Sequence, residues 1–237
     1  MARDSGVNPR KGTPGTGRTP SREEWDWFME RVGVSAENGR ELAVTAQGRI
    51  TSDPFRVLIA TLISLRTRDE VTETSAERLF EMASTPARMV EIGADAVARA
   101  IFPANYYPTK AGRIVAVSRI LLERFDGSVP STIQELLSLP GVGRKTANLV
   151  LSEGFGIDAI CVDTHVHRIP NRFGIIETRD PAATEEALRR NLPIEYWIRI
   201  NRELVPFGKS ICTPISPRCS ICPLAARCSR VFKGPSR

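Results

Sequence analysis

The stretch LPGVGRKTANLVL, Leu139–Leu151, holds two glycines two residues apart, a basic pair and then an apolar run. It reads as two helices joined by a tight turn. Ahead of it, Thr132 followed by Glu135 makes a capping-box pattern, and Ile133, Leu136 and Leu137 share one apolar face. Pro140 and Gly141 stop that helix. Arg144 starts the next, with Ala147, Val150 and Leu151 toward a core and Gly154 as its end. Gly141 and Gly143 permit φ > 0 and close approach from outside. The N–H groups that open the second helix have no acceptor within it, which suits a phosphate. Val142 packs inward, while Arg144 and the Thr146 hydroxyl add polar contacts. The segment is therefore a connector built to grip an anion.

Outward from this hairpin the chain stays helical. Ser21 with Glu24 suits an N-cap, and Trp25, Phe28 and Met29 follow at helical spacing. DPFRVLIATLISL (Asp53–Leu65) is apolar for too long to be a typical strand, and its Asp-Pro start predicts a buried central helix. TPARMVEIGADAVARAI and KAGRIVAVSRILLERFDG carry helical periodicity, the latter ended by Gly127; DPAATEEALRRNLP is a further helix. Clean alternation is almost absent. The fold class is all-α, with about ten helices. No apolar run reaches membrane-spanning length, and the N-terminus lacks a secretory h-region, so no membrane association is expected; in a prokaryote the expected location is cytoplasmic, at the nucleoid.

The formal net charge is +6, but residues 1–22 carry five basic residues against one acidic, leaving +2 for the rest. Residues 1–21 have almost nothing to bury and read as a disordered basic tail. Bulk charge therefore says little about nucleic acid; any such face must come from local clustering. Four of the five cysteines follow the pattern Cys212-x6-Cys219-x2-Cys222-x5-Cys228. With no secretory context this is a metal site before it is a disulfide framework. Structural zinc prefers two close pairs. Only Cys219 and Cys222 form one here, and a wrapped loop stiffened by Pro214, Pro217 and Pro223 suits the corners of an iron–sulfur cubane. Lys209, Arg218, Arg227, Arg230 and Lys233 flank that loop, either to offset its charge or to meet phosphates. Cys161 reads as a small buried residue.

The hairpin with Lys145, VDTHVHR eighteen residues after that lysine, and the terminal cysteine loop occur together in this order. In combination they closely resemble the endonuclease III branch of the helix-hairpin-helix DNA glycosylases, from about Trp25 to Cys228. The resemblance implies a two-domain helical fold with a DNA cleft. A six-helix barrel at 47–157 would hold the hairpin, and 22–46 with 158–237 would form an iron–sulfur domain. It implies a [4Fe–4S] cluster on Cys212, Cys219, Cys222 and Cys228, and a monomer acting on double-stranded DNA with a damaged base or abasic site. It also implies excision of the base, oxidised pyrimidines first, and strand cleavage by β-elimination.

A base within a duplex must flip out before its sugar can be attacked. Lys145 would present a neutral amine to C1′, and Arg144 and the helix start would lower its pKa. Asp163 resembles the family's essential carboxylate, able to take the Lys145 proton or to stabilise charge on the sugar. As Asp-Thr ahead of His-Val-His it also suits a helix cap. His165 and Asp69 match the pocket, whereas His167 reads as a surface or phosphate contact. Arg168 and Arg172, a helical turn apart, would extend a cationic face or form surface ion pairs. Two positions depart from the family. Arg66 stands where a glutamine commonly fills the hole left by the flipped nucleotide, and guanidinium only donates. Asn105 and Tyr106 stand where the family has glycine and an aliphatic wedge, and a tyrosine can stack on bases. The alternatives are a thymine or uracil mismatch glycosylase of the same fold, a non-catalytic iron–sulfur DNA-binding protein, or a zinc-stabilised regulator.

Overall fold

The computed structural model describes residues 19–36, 53–232 and 234–237. The basic tail up to residue 18, the expected domain boundary at 46/47 and Lys233 lie outside the described residues. Among the described residues the chain forms ten α-helices and no strand. In order these are α1 (Arg22–Ala36), α2 (Pro54–Ser64), α3 (Asp69–Met82), α4 (Pro86–Ile101), α5 (Tyr107–Arg124), α6 (Ile133–Leu137), α7 (Arg144–Leu149), α8 (Thr164–Phe173), α9 (Pro181–Asn191) and α10 (Arg199–Ser210). The described chain divides into two compact units, 53–161 and 19–36 with 162–237.

The unit of 53–161 is built on α2. Asp53 caps it, Oδ1 accepting from Phe55 N at 2.9 Å, and Pro54 fills the first helical position. Every residue from Val57 to Ile63 is buried. Each large aliphatic side chain in that run contributes roughly 1.5–3 kcal/mol by leaving water. The one hydroxyl among them, on Thr61, donates to Val57 O at 2.7 Å, so no polar group is stranded. α3, α5 and α7 pack around α2.

Two sequence expectations change here. TPARMVEIGADAVARAI is not one unbroken helix: Gly93 adopts φ 74, ψ 170 and breaks α4 into two pieces. No Cβ clash demands glycine there, so the backbone angle alone does. Gly154 does not simply end α7, which runs on into a π turn over Val150–Gly154. A Cβ on Gly154 would stand 2.9 Å from Pro54 Cα, so the glycine lets the π turn lie directly on the start of α2.

In the other unit Ser21 and Glu24 cap α1 reciprocally, with bonds of 2.8 and 3.3 Å. Trp25, Phe28, Met29 and Val32 form one fully buried stripe. α1 packs on α10, and the Phe28 ring stands 5.0 Å from that of Phe173 on α8. α8 packs against α10 and α9.

Candidate functional site

The hairpin is α6, the turn and α7. Thr132 caps α6, its hydroxyl accepting from Glu135 N at 3.3 Å and lying 2.6 Å from the Glu135 carboxylate. Leu139 and Val142 are buried beneath the turn, and Val142 N donates to Leu139 O at 3.1 Å. Gly141 alone uses the left-handed region, at φ 81. Gly143 is extended and does not use the positive φ that glycine permits. It caps α7 with no side chain, and nothing lies within 4 Å of where its Cβ would be. Its role is open access to the helix start. Arg144 and Lys145 are exposed there. Thr146 is 2% exposed, which speaks against its expected side-chain contact with a phosphate. Cys161 is buried as expected, with Sγ 3.6 Å from Lys145 O, a bond that fixes the lysine's backbone.

In the same unit the loops carrying Arg66 and Tyr106 are joined. Asn105 Nδ2 donates to Arg66 O, and Asn105 N donates to Thr67 Oγ1 at 3.2 Å. Both Arg66 and Tyr106 are exposed, Tyr106 by 64%. Asp69, half-buried, opens α3.

In the other unit Asp163 caps α8. Its Oδ1 accepts from His165 N at 2.8 Å and from Val166 N at 2.9 Å. Oδ2 takes no hydrogen bond among the described residues. The His165 ring lies against Gly208, where a Cβ would stand 2.2 Å from Nδ1. Arg168 Nη2 is 3.1 Å from that Nδ1. Guanidinium can only donate, so Nδ1 accepts and a neutral His165 carries its proton on Nε2. His167 Nδ1 lies 2.7 Å from Thr184 Oγ1, in a network with Thr178 and Asn171 that ties α8 to α9.

Arg168 and Arg172 form neither a cationic face nor surface ion pairs. Arg168 donates to Gly208 O at 3.2 Å and Cys212 O at 3.0 Å. Arg172 donates to Thr213 O at 2.7 Å and Pro214 O at 2.6 Å, and its Nη1 lies 3.8 Å from Cys212 Sγ. Both hold the cysteine loop onto α8. Arg227, one of the flanking cations, stacks 4.6 Å over Trp27.

Cys212, Cys219, Cys222 and Cys228 line one recess with Ile169, Phe207 and Leu224. Burial, with the neighbouring thiolates, pushes the Cys222 thiol up to about 11 and that of Cys228 upward. Four thiols converging on an apolar recess repel one another once ionised, and iron reverses that cost. Four cysteine thiols gathered on one wrapped loop are a donor set that fits an iron–sulfur cluster.

A family model described as an HhH-GPD superfamily base excision DNA repair protein matches residues 59–193, and one for the iron–sulfur binding domain of endonuclease III matches 212–228. The chain is 50% identical to endonuclease III of Thermotoga maritima over 177 residues, 75% of this chain and 83% of that protein. It superposes on a structure of endonuclease III trapped as a covalent intermediate with DNA, with a TM-score of 0.78 and 31% identity over 88% of this chain and 96% of that one. A thermostable thymine-DNA glycosylase shares the fold, with a TM-score of 0.79 at 22% identity over 88% of this chain and 96% of that one. Hairpin, helical fold and cysteine loop thus define a helix-hairpin-helix DNA glycosylase of base excision repair. The chain belongs to the endonuclease III family. It is a DNA-binding glycosylase and AP lyase with a [4Fe–4S] cofactor. No helix among the described residues is long and apolar enough to cross a membrane.

Proposed function

We propose that this enzyme removes oxidised pyrimidines from duplex DNA and then cuts the strand at the abasic site, with Lys145 as nucleophile and Asp163 as the essential carboxylate. One observation carries the assignment. At the start of α7, Arg144 and Lys145 are exposed, while every residue from Thr146 to Gly154 is buried. The amine therefore stands on a fixed base, directly after a turn open to a phosphate.

As a free amine, Lys145 Nζ attacks C1′ and the base departs with the bonding electrons. The sugar opens to an imine on Nζ, and loss of a C2′ proton expels the 3′ phosphate oxygen. Asp163 accepts the amine proton or stabilises the positive charge on the sugar. Its capping bonds through Oδ1 fix the group and leave Oδ2 for that work. Gly141, Gly143 and Arg144 meet the backbone phosphate, the two glycines through the main chain, while Val142, whose N–H is spent on Leu139 O, packs beneath the turn instead of contacting the phosphate as expected. Asp69 and His165 face the flipped base, and Arg66 and Tyr106 take its place in the stack and meet the orphaned partner. Cys212, Cys219, Cys222 and Cys228 hold the cluster, which when bound cross-links their loop. The reading includes a cytoplasmic monomer with its barrel at 47–157 and its iron–sulfur domain at 22–46 with 158–237.

Borohydride trapping on a panel of lesions, each opposite all four bases, tests this. Oxidised pyrimidines should trap best, and Lys145→Ala should abolish the adduct. An adduct that survives in Lys145→Ala removes the lysine from the chemistry. A strong preference for G·T or G·U pairs overturns the substrate.

A further inference from the structure

Arg66 and Tyr106 both sit in the left-handed region, at φ 56 and φ 58. Neither residue is suited to it, and each such position is strained. The bonds beneath them show what holds them there. Lys110, on the first turn of α5, is 5% exposed and reaches under both loops. Its Nζ donates to Ile63 O near the end of α2 at 2.6 Å and to Thr67 Oγ1 at 2.7 Å. The same Thr67 hydroxyl accepts from Asn105 N, and Asn105 Nδ2 closes the circuit on Arg66 O. Arg66 precedes Thr67, and Tyr106 follows Asn105, so each left-handed residue is clamped by its neighbour. The bond to Arg66 O needs the Asn105 side-chain amide.

A buried ammonium is a costly filler, since its stem could be matched by an apolar side chain. Burial lowers its pKa from 10.5 to about 8. The cost is met where its donors do work that an apolar side chain cannot.

We propose that Lys110 is a positioning residue for reading the orphaned base: it locks the Arg66 and Tyr106 loops into one element, so choice of the opposing base depends on a buried lysine. This rests on the reading of Arg66 and Tyr106 given above.

The holoenzyme is assayed in single turnover on one lesion opposite each of the four bases, and on a single-stranded abasic oligonucleotide, which has no opposing base. Lys110→Met should narrow the spread of rates across the four partners about tenfold, the scale of a coupled contact. Cleavage of the single strand should stay within about threefold, because the chemistry is untouched. Asn105→Gly should narrow the spread less. Lys110→Met combined with Arg66→Ala should narrow it no further than Arg66→Ala alone. Equal loss on single and double strands means a purely structural lysine and overturns the proposal, as does an unchanged spread in both Lys110→Met and Asn105→Gly. Should Lys110→Met not fold, Asn105→Gly decides alone. A wild type without spread, or Arg66→Ala and Tyr106→Ala both without effect, refutes the reading of the two readers themselves, and the proposal falls with it.

Discussion

Lys110 leaves a signature in the stability of the protein. In the unfolded chain a lysine keeps its proton to pH about 10.5, whereas burial lets the folded one release it near 8. Between those values the unfolded chain binds more protons, so stability rises with pH. The contribution is full above the unfolded pKa and is lost as pH falls through the folded one. Urea unfolding of wild type and Lys110→Met from pH 7 to 10 isolates this effect, because every other group titrates in both. The wild type should gain on the variant between pH 8 and 10; parallel curves would show an unburied ammonium. At this scale much was legible in the sequence and some was not. Asp163 announced its capping role, because Asp-Thr before a helical run suits only a few backbone geometries. Lys110 announced nothing, since no periodicity marks a lysine whose partners lie over forty positions away.

At the scale of elements, hydrophobic spacing carried most of the fold. Trp25, Phe28, Met29 and Val32 form a stripe that only a helix aligns, and α2 is too long and apolar to be anything exposed. The breaks were harder to read. Gly93 and Gly154 look alike in sequence, yet one is required by a backbone angle and the other by a neighbouring element. Arg168 and Arg172 have the spacing of a solvated face, and only the cysteine loop, met forty residues later, turns them inward. Thr146 lies beside exposed Lys145 but faces the core, because one helical step is 100°. The contact between the π turn and α2 gives a direct test. Gly154→Ala puts a Cβ 2.9 Å from Pro54 Cα, where backbone rather than a side-chain tip must move. It should destabilise by about 1–3 kcal/mol, the usual cost of overpacking. Equilibrium denaturation measures this, and a change under about 0.5 kcal/mol, the size of an ordinary surface substitution, would mean the packing is looser than described.

For the whole molecule the cysteine loop is the weak joint. Its four thiols repel when ionised; the side chains of Arg168 and Arg172 hold its start to α8, and Ser229 N and Val231 N, donating to Phe173 O and Arg172 O, hold the chain just after it. Removing the cluster by chelation or oxidation should speed amide exchange across 212–228 and the neighbouring turns of α8 and α10 by about tenfold or more. The amides of α2, in the other unit, should keep their protection. Uniform acceleration through both units would show one cooperative body instead of two. Chain order has a further consequence. Unit 53–161 is continuous and can close while the ribosome is still working. The stripe on α1 must wait for α10, more than 160 residues further on. At roughly 5–20 residues per second that delay lasts on the order of ten to thirty seconds. Until then Trp25, Met29 and Val32 lack the cover they have in the folded chain, so this helix leaves an apolar stripe open for a chaperone to hold on the newborn chain.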